Sequence, residues 1–411
     1  MEYSLNNKVT DKKILLEILQ NRFTKFDESV VKWTFKGSKI NSKFLENKIL
    51  NNYKNKLKKK VLSNEIIYSD WIEIFDTGLN KLKKLNKQPI LFFSGGKDST
   101  FIASRLTQKK IDALYYSFVK NENEKKILNE LAKKLKISIF YSYGKLEYLD
   151  EEEIFKKIKE PVLDPAGLSV LSLLDISKKN KINFQDSIFI DGMGNDCYMG
   201  HLPSKQELRK LYFQKIFFKN HFHKIVPIDI QNSIGKFGDL FRPDYVAHFP
   251  GSTIKLNNYY DQISYYSKYK IYDDIVVQRA LQRGIHYDFC SAIAKSILYV
   301  DASSEKSLVF FPFLDDDLIE FYETRKIRDY DYSKLTNKLS IRKYLNENLD
   351  FDKISPYKGI FKPTYLNFRL SNMQIKLADK INIRLKYLNK TQKSDFYLWS
   401  KYIINNDIKL D

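Results

Sequence analysis

Short apolar runs alternate with amphipathic stretches along the middle of the chain, from residue 89 to residue 191. The runs at 90–93, 113–118, 137–141 and 188–191 predict buried strands, and the stretches at 99–108 and 122–135 predict helices. Parallel strands need a crossover of about a dozen residues or more, usually a helix, so this alternation is typical of βαβ units. The pattern therefore predicts an α/β fold with a parallel twisted sheet and flanking helices.

The regions on either side of this core are predicted to be mainly helical. Before the core, apolar residues recur at helical spacing after Ser69 and Asp70, which favour a helix start. These apolar residues are Ile72, Phe75, Leu79 and Leu82. We expect a mainly helical accessory domain at 1–88, the α/β core at 89–225 and a mainly helical part at 226–411.

Composition indicates an ordinary folded protein. The chain has 411 residues, of which 43% are apolar, and its cysteines are Cys197 and Cys290, which excludes a disordered chain, a disulfide scaffold and a four-thiolate zinc site. No apolar run approaches the length of about 18 residues that a membrane-spanning helix needs, and the opening residues lack a signal-peptide core. We therefore expect a soluble cytoplasmic protein without membrane insertion.

The chain also carries a large excess of positive charge. Its net charge of +20 comes from 70 Lys and Arg against 50 Asp and Glu, and 59 of the cations are lysines against 11 arginines. A nucleic-acid partner would be indicated by clustered cations, especially arginines, which make paired contacts to phosphates and bases. Here the lysines are dispersed in runs such as 56–60 and 133–136. A solvated lysine-rich surface is the favoured interpretation, and a nucleic-acid partner stays the alternative.

One loop carries recognisable chemistry: residues 94–100 read Ser-Gly-Gly-Lys-Asp-Ser-Thr, between the first core strand and a helix. Paired glycines let a backbone approach an anion, hydroxyls add donors, and a helix N-terminus supplies N–H groups and a positive dipole end. Lys97 adds a charge, whereas Asp98 suits a phosphate site only when a cation such as Mg²⁺ lies between them. The loop predicts a polyphosphate site without Walker A spacing. A plain glycine-rich turn with a capping serine is the alternative.

Residues 94–99 resemble the pyrophosphate loop of the N-type ATP pyrophosphatases, the adenine nucleotide alpha hydrolase superfamily. Later segments resemble the synthetase domain of asparagine synthetases, in the family's order. They are 160–165 (Glu-Pro-Val-Leu-Asp-Pro), 191–196 (Asp-Gly-Met-Gly-Asn-Asp) with Gly200, 312–315 (Pro-Phe-Leu-Asp) with Leu318 and Phe321, 340–345 with Arg342 (the family's K-x-x-L-R), and 356–361 (Pro-Tyr-Lys-Gly-Ile-Phe). The resemblance covers residues 89–363 and implies a Rossmann-like fold that cleaves ATP between its α and β phosphates.

The resemblance also implies roles for individual residues. Asp98 and Asp196 match the carboxylates that hold Mg²⁺, and Lys358 matches the lysine that stabilises charge during adenylation and amide formation; these three are the implied catalytic residues. The implied ATP and pyrophosphate contacts are Ser94, Gly95, Gly96, Lys97, Asp98, Ser99, Thr100 and Gly192, with Ser117 and Phe118 at the adenine and Glu160 and Asp164 on the substrate side. ATP and Mg²⁺ are the implied cofactors.

This chain departs from the family pattern in ways that bear on its substrate. It begins Met1-Glu2 where glutamine-using members carry a catalytic cysteine after Met, and 88 residues are short for a glutaminase domain, so we expect none. Met193 and Cys197 replace the two acids that the family associates with amine-side chemistry and substrate placement. We therefore expect a substrate other than free aspartate.

Together the motifs predict an AMP-forming ligase. A small-molecule carboxylate would be adenylated by ATP and then form an amide with ammonia or an amine, the ammonia coming from solution or from a separate glutaminase subunit. A tRNA-modifying enzyme of the same superfamily, which activates a base carbonyl, is the alternative that the +20 charge favours. A nucleotide-binding regulatory protein with a degenerate site is a third hypothesis, favoured by the acids lost at Met193 and Cys197.

Overall fold

The computed structural model describes part of the chain. The described residues are 2–5, 8, 10–21, 31–35, 38–41, 68–119, 121–143, 150–158, 160–163, 167–195, 295, 299, 308–315, 317–318, 321, 338–355, 370–388 and 390–410. The strands are β1 (Glu2–Leu5), β2 (Val31–Phe35), β3 (Ser38–Asn41), β4 (Gln88–Phe92), β5 (Leu114–Phe118), β6 (Ile139–Ser142), β7 (Ser187–Ile190) and β8 (Leu308–Phe310). The helices are α1 (Lys12–Asn21), α2 (Tyr68–Asn80), α3 (Lys97–Gln108), α4 (Glu122–Leu135), α5 (Glu151–Lys157), α6 (Gly167–Lys179), α7 (Leu339–Leu349), α8 (Phe351–Ile354), α9 (Asn372–Lys380) and α10 (Lys390–Asn405).

Five of the strands form one parallel sheet in the spatial order β6-β5-β4-β7-β8. Each neighbouring pair is parallel, and Ile90 of β4 lies opposite both Leu114 of β5 and Phe189 of β7. The predicted α/β fold with a parallel sheet and flanking helices is confirmed. The sequence patterns do not anticipate β8, because its short apolar run merges with the apolar segment that continues through Pro312.

The predicted core strands and helices agree with the observed ones to within two residues at each end. Helix α4 shows why local signals suffice here. Asn121 caps it by accepting a hydrogen bond from the backbone N of Glu124 at 2.9 Å, and Lys136 ends it in the left-handed conformation. Its apolar face is buried, so capping and amphipathicity specify the same bounds.

Helix α2 packs into the core although it precedes the predicted boundary at residue 88. The Trp71 and Phe75 rings lie with their centroids 5.0 and 4.9 Å from the ring of Phe101 on α3, and Phe75 also lies 5.1 Å from Phe313. Buried aromatic pairs at such distances contribute beyond the area they bury. The helical spacing noted in the sequence therefore reflects a face that covers α3.

Two further groups of elements lie at the ends of the chain. Strands β1, β2 and β3 form an antiparallel sheet, which the sequence patterns do not anticipate. Near the C-terminus, Trp399 of α10 donates from Nε1 to the carbonyl of Leu15 in α1 at 2.7 Å. Within the described parts of the chain, no helix combines the length and apolar character needed to cross a bilayer. The predicted domain boundary at residue 225 lies outside the described residues.

The direction in which strands are added to the sheet reverses at β4. The chain moves from β4 outward to β5 and β6, and then returns to the other side of β4 with β7 and β8. Such a reversal is a topological switch point, and open α/β sheets bind ligands beside it, at the carboxyl ends of the strands. The segments after β4 and β7 meet at this point.

Candidate polyphosphate site

The predicted glycine loop lies at the switch point, between β4 and α3. Gly95 has a φ of +67°, and a Cβ atom there would lie 2.7 Å from Cδ2 of Leu128. Gly96 precedes α3 and provides no side-chain cap. Gly95 is needed for its left-handed backbone, and Gly96 brings no side chain of its own to the N-terminus of α3, the end of a helix at which anions bind.

Hydroxyl groups surround the first turn of α3. Ser94 Oγ lies 3.1 Å from Ser99 Oγ, and Ser99 Oγ donates to the carbonyl of Gly96 at 3.2 Å. Thr100 Oγ1 is buried and has no hydrogen-bond partner within the part of the chain that the structure describes. Buried polar groups are usually paired, so a hydroxyl in the first turn of α3 without a partner among the described residues is a feature that a bound ligand would explain.

The Asp98 carboxylate joins three segments that are distant in sequence. Its Oδ1 accepts from Asn195 Nδ2 at 2.6 Å, and its Oδ2 accepts from Lys338 Nζ at 2.7 Å. Asn195 follows β7, and Lys338 directly precedes α7. The Asp98 side chain is 26% exposed, whereas that of Lys338 is 6% exposed. The carboxylate is therefore partly open to solvent while its cationic partner is enclosed.

The loop after β7 packs directly against the glycine loop. A Cβ atom at Gly192 would lie 3.2 Å from Asp98 Cβ and 3.4 Å from the backbone N of Ser99. Gly194 has a φ of +101°, and a Cβ atom there would lie 2.4 Å from Cγ of Leu314. Larger residues would therefore force this loop away from α3 and from the turn after β8.

A buried lysine and a buried tyrosine hold Asp191, the first residue after β7. The Asp191 carboxylate accepts from Lys295 Nζ at 3.0 and 3.2 Å, from Tyr299 OH at 3.0 Å and from the backbone N of Met193 at 3.0 Å. Burial raises the pKa of Tyr299 well above its ordinary value, and the negative charge of Asp191 raises it further, so the phenol stays protonated and donates. This cluster fixes the start of the loop that carries Asn195.

Helix α7 runs alongside α3 in the same direction. Lys338 contacts Asp98 at the start of α3, and six residues later on both helices (338 to 344, 98 to 104) Tyr344 OH lies 2.9 Å from Ser104 Oγ. Arg105 also donates to Tyr344 OH, at 3.2 Å. Because the two contacts are separated by six residues on each helix, the helices run in parallel and their N-termini lie at the same edge of the sheet. The helix dipoles favour negative charge there.

Asp98 and Asn195 offer oxygen atoms of the kind that Mg²⁺ needs. Asn195 is buried, and its Oδ1 has no hydrogen-bond partner among the described residues while its Nδ2 donates to Asp98. Mg²⁺ is commonly held by one or two carboxylates, with phosphate oxygens and water completing its shell. The described residues contain no group of three His, Cys, Asp or Glu side chains that could hold a metal. Asp98 and Asn195 together could supply part of such a shell.

The structure brings most of the predicted nucleotide contacts together. Ser94, Gly95, Gly96, Lys97, Asp98, Ser99, Thr100 and Gly192 all lie where the segments after β4 and β7 meet. Ser117 and Phe118 are buried at the end of β5, beside β4, and within the described residues Ser117 Oγ has no hydrogen-bond partner. Glu160 is buried in the segment after α5. Three predicted site residues, Asp164, Asp196 and Lys358, lie outside the described residues.

Sequence reasoning missed several residues that the structure places at this site. Lys338 is the lysine of the K-x-x-L-R spacing, four residues before Arg342, so the motif itself contained the signal. Asn195 lies within the 191–196 segment, but the family motif points to its neighbour Asp196. Lys295 and Tyr299 are one helical turn apart and carry no motif, so only the fold could bring them to Asp191.

Comparison with known proteins adds no relative to this picture: no protein-family model matches the chain, and no curated protein matches it. The resemblance to the ATP pyrophosphatases therefore rests on the motif residues and their order along the chain.

Proposed function

We propose that this protein is an ATP- and Mg²⁺-dependent ligase that adenylates a carboxylate, releases pyrophosphate and passes the acyl group to ammonia or an amine. The observation that carries the proposal is the Asp98 carboxylate in the first turn of α3, contacted by Asn195 and Lys338 at the switch point of a parallel sheet. Polyphosphates bind at such helix N-termini in α/β folds. The proposal includes the assignment of the parallel sheet and its helices to the adenine nucleotide alpha hydrolase fold.

The loop and its neighbours would bind and orient the triphosphate. Gly95 and Gly96 would let phosphate oxygens approach the backbone, and the hydroxyls of Ser99 and Thr100 would donate to them. Mg²⁺, when bound, would neutralise charge on the leaving pyrophosphate. Asp98 would hold that cation, and the preformed donors would require little rearrangement as charge develops.

The chemistry divides into two displacements. An oxygen of the substrate carboxylate attacks the α-phosphorus of ATP, the bond from that phosphorus to the β-phosphate bridging oxygen breaks, and pyrophosphate leaves. The amine nitrogen then attacks the acyl carbon, the bond to AMP breaks, and the nitrogen gives up a proton to solvent. The choice of a carboxylate as the adenylated group is supported by the segments from 160–165 to 356–361, which occur in the same order as in the asparagine synthetases they resemble.

A pyrophosphate–ATP exchange assay tests the proposal. With Mg²⁺ and a panel of carboxylates, one acid should support exchange, and adding ammonia or an amine should produce AMP and an amide. Asp98→Ala should lower exchange by about 100-fold or more, whereas Lys343→Ala, which changes an exposed lysine of α7, should leave it unchanged. Release of ADP and phosphate, or unchanged exchange in Asp98→Ala, would contradict the proposal.

A tRNA-modifying enzyme is the second candidate, and the net charge of +20 is the observation that favours it. Binding to phosphates releases counterions, so tRNA affinity should fall steeply as salt rises. Filter binding at low salt measures this affinity. No binding removes the candidate, whereas salt-sensitive binding together with tRNA-dependent exchange would favour it over the carboxylate ligase.

A further inference from the structure

We propose that Lys338 competes with the metal ion for the Asp98 carboxylate, so that a bare divalent cation binds weakly and a cation accompanied by nucleotide phosphates binds well. The inference deepens the proposed function, because it concerns how the same site would admit Mg²⁺. It makes Lys338 a coupling element between metal and nucleotide, and it follows from the contacts, the burial and the charge balance of this one lysine.

The first argument is distance. Lys338 Nζ lies 2.7 Å from Asp98 Oδ2, and Mg²⁺ binds carboxylate oxygens at about 2.0–2.1 Å. A cation on that oxygen would therefore come within about 5 Å of the ammonium nitrogen, a separation at which like charges repel strongly in a partly buried site. The other oxygen, Oδ1, already accepts from Asn195 Nδ2 at 2.6 Å. Both oxygens of Asp98 thus carry protein donors that a metal must share or displace.

The second argument is the enclosure of the lysine. Its side chain is 6% exposed, so an ammonium displaced from Asp98 would lose a charged partner in a place where water replaces it poorly. Its backbone is also constrained. Lys338 has a φ of +57° and directly precedes α7.

The third argument is charge balance. A divalent cation on Asp98 would add two positive charges beside an ammonium that already contacts this carboxylate. The oxygens of a polyphosphate would bring negative charge with the metal, accepting from the lysine while the metal takes the carboxylate. Ligands that bind better together than apart are coupled, and the coupling is reciprocal. Lys338 would therefore make metal affinity depend on the nucleotide.

Manganese binding, followed by the paramagnetic resonance of free Mn²⁺ with the full chain, tests the inference without any turnover. Lys338→Met keeps the length and the Cβ of the side chain and removes its charge, and it should tighten Mn²⁺ binding about tenfold or more, the factor expected for one hydrogen bond to a charged group. Adding Asp98→Asn should abolish the gain. The matched control, Lys343→Met, removes an exposed lysine of α7 and should change the affinity by less than about twofold.

Two results of the Mn²⁺ measurements would overturn the inference. Unchanged or weaker Mn²⁺ binding in Lys338→Met, with the circular dichroism and unfolding midpoint of the parent chain, would overturn the inference. Should that variant not fold, Lys338→Arg ought to keep the weak parental affinity and Lys338→Gln ought to show the gain; equal affinities in the parent, Arg and Gln chains would also overturn it.

Measurements of Mn²⁺ binding with a nucleotide present, compared with the adenylation assay, separate this inference from the proposed function. A non-hydrolysable ATP analogue should raise Mn²⁺ affinity more in the parent chain than in Lys338→Met, and an equal rise in both chains would overturn the coupling. A gain of Mn²⁺ affinity in a protein that adenylates no carboxylate would keep the inference and discard the proposed function. Adenylation without that gain would do the reverse.

Discussion

The two ends of helix α3 place an aspartate beside a buried cation in two different ways. At its C-terminal end, Arg105 donates to Asp76 from Nε at 2.8 Å and also from a terminal guanidinium nitrogen, and Lys109 joins the same carboxylate at 2.8 Å. At its N-terminal end, Asp98 is 26% exposed and meets Lys338. The Asp76 carboxylate is buried and contacts two cations, whereas the Asp98 carboxylate is partly exposed to solvent.

The surroundings of the two ends explain this difference. Near Arg105, the rings of Trp71, Phe75 and Tyr344 pack on α3, and the guanidinium also contacts the Tyr344 ring. Burial alone would lower the pKa of Arg105, but its hydrogen bonds and the charge of Asp76 outweigh burial and raise it. Near Asp98, Thr100 Oγ1 and Asn195 Oδ1 have no hydrogen-bond partner among the described residues. One helix thus serves packing at one end and, in the proposed function, would bind ligand at the other, which is the division expected where a site sits on a rigid element.

Removing the charge of Asp76 should have the largest effect on stability. Asp76→Asn leaves the enclosed Arg105 without its anion, and breaking a buried pair in this way costs about 3–5 kcal/mol of the free energy of unfolding. Urea unfolding measures the loss. Lys109→Ala removes the more exposed partner and should cost at most about 1 kcal/mol. Equal losses of unfolding free energy in the two variants would contradict a stabilising role for the buried pair of Asp76 and Arg105.

The matched substitution at the other end should cost less stability and more binding. The Asp98 side chain is 26% exposed whereas that of Asp76 is 6% exposed, so water reaches the Asp98 pair more easily. We therefore expect Asp98→Asn to lose about 1–2 kcal/mol in the same urea experiment, the range of a weakened hydrogen bond to a charged group. Titration with Mg²⁺ and ATP should show no saturable binding in Asp98→Asn and normal binding in Lys109→Ala. Retained nucleotide binding in Asp98→Asn would remove Asp98 from the site.

A methyl group at Gly95 should have a smaller effect on stability. Gly95→Ala forces a residue with a Cβ to a φ of +67° beside Leu128, and the left-handed conformation costs about 1–2 kcal/mol. Thermal unfolding measures this cost, and nucleotide affinity should fall because the loop can no longer keep its shape. Ser94→Ala, next in the chain, should alter stability by less than about 1 kcal/mol. A wild-type midpoint and affinity in Gly95→Ala would contradict this account of the loop.

The smallest effect concerns pH and the link between α2 and the turn after β8. Lys81 Nζ lies 2.7 Å from Asp315 and 2.9 Å from Asp317. Burial would lower the pKa of Lys81, but these hydrogen bonds and charges outweigh it and raise that pKa above 10.5. A raised pKa in the folded state means that the stabilisation, about 1 kcal/mol, is complete below the ordinary lysine value and is lost as pH rises through the raised one.

Unfolding free energies of the parent and Lys81→Met chains at pH 7, 9 and 11 measure this dependence. The difference between the two chains should be constant up to pH 9 and shrink at pH 11. Lys84→Met changes an exposed lysine of the turn at 81–84 that follows α2, and it should show no such difference. A Lys81→Met difference that persists unchanged at pH 11 would contradict the assignment.

Local signals were the part of this structure that could be predicted. The bounds of α4 follow from its cap at Asn121 and its buried apolar face, and the chemistry of the glycine loop follows from adjacent residues. Strand β8 could not be predicted, since its three residues are too short and too uniformly apolar to distinguish a strand from other buried segments. The antiparallel strands β1 to β3 were missed for a related reason, because register and pairing depend on distant partners.

What the sequence determined by itself is the alternation of strands and helices, the order of the motifs, and a glycine loop whose residues suit a polyphosphate. What only the tertiary structure decided is which side chains meet there. β7 returns beside β4, so Asn195 reaches Asp98 across 97 residues and Lys338 reaches it across 240. Local propensity acts over a few residues, whereas these contacts depend on strand order and helix packing, which only the whole fold can fix.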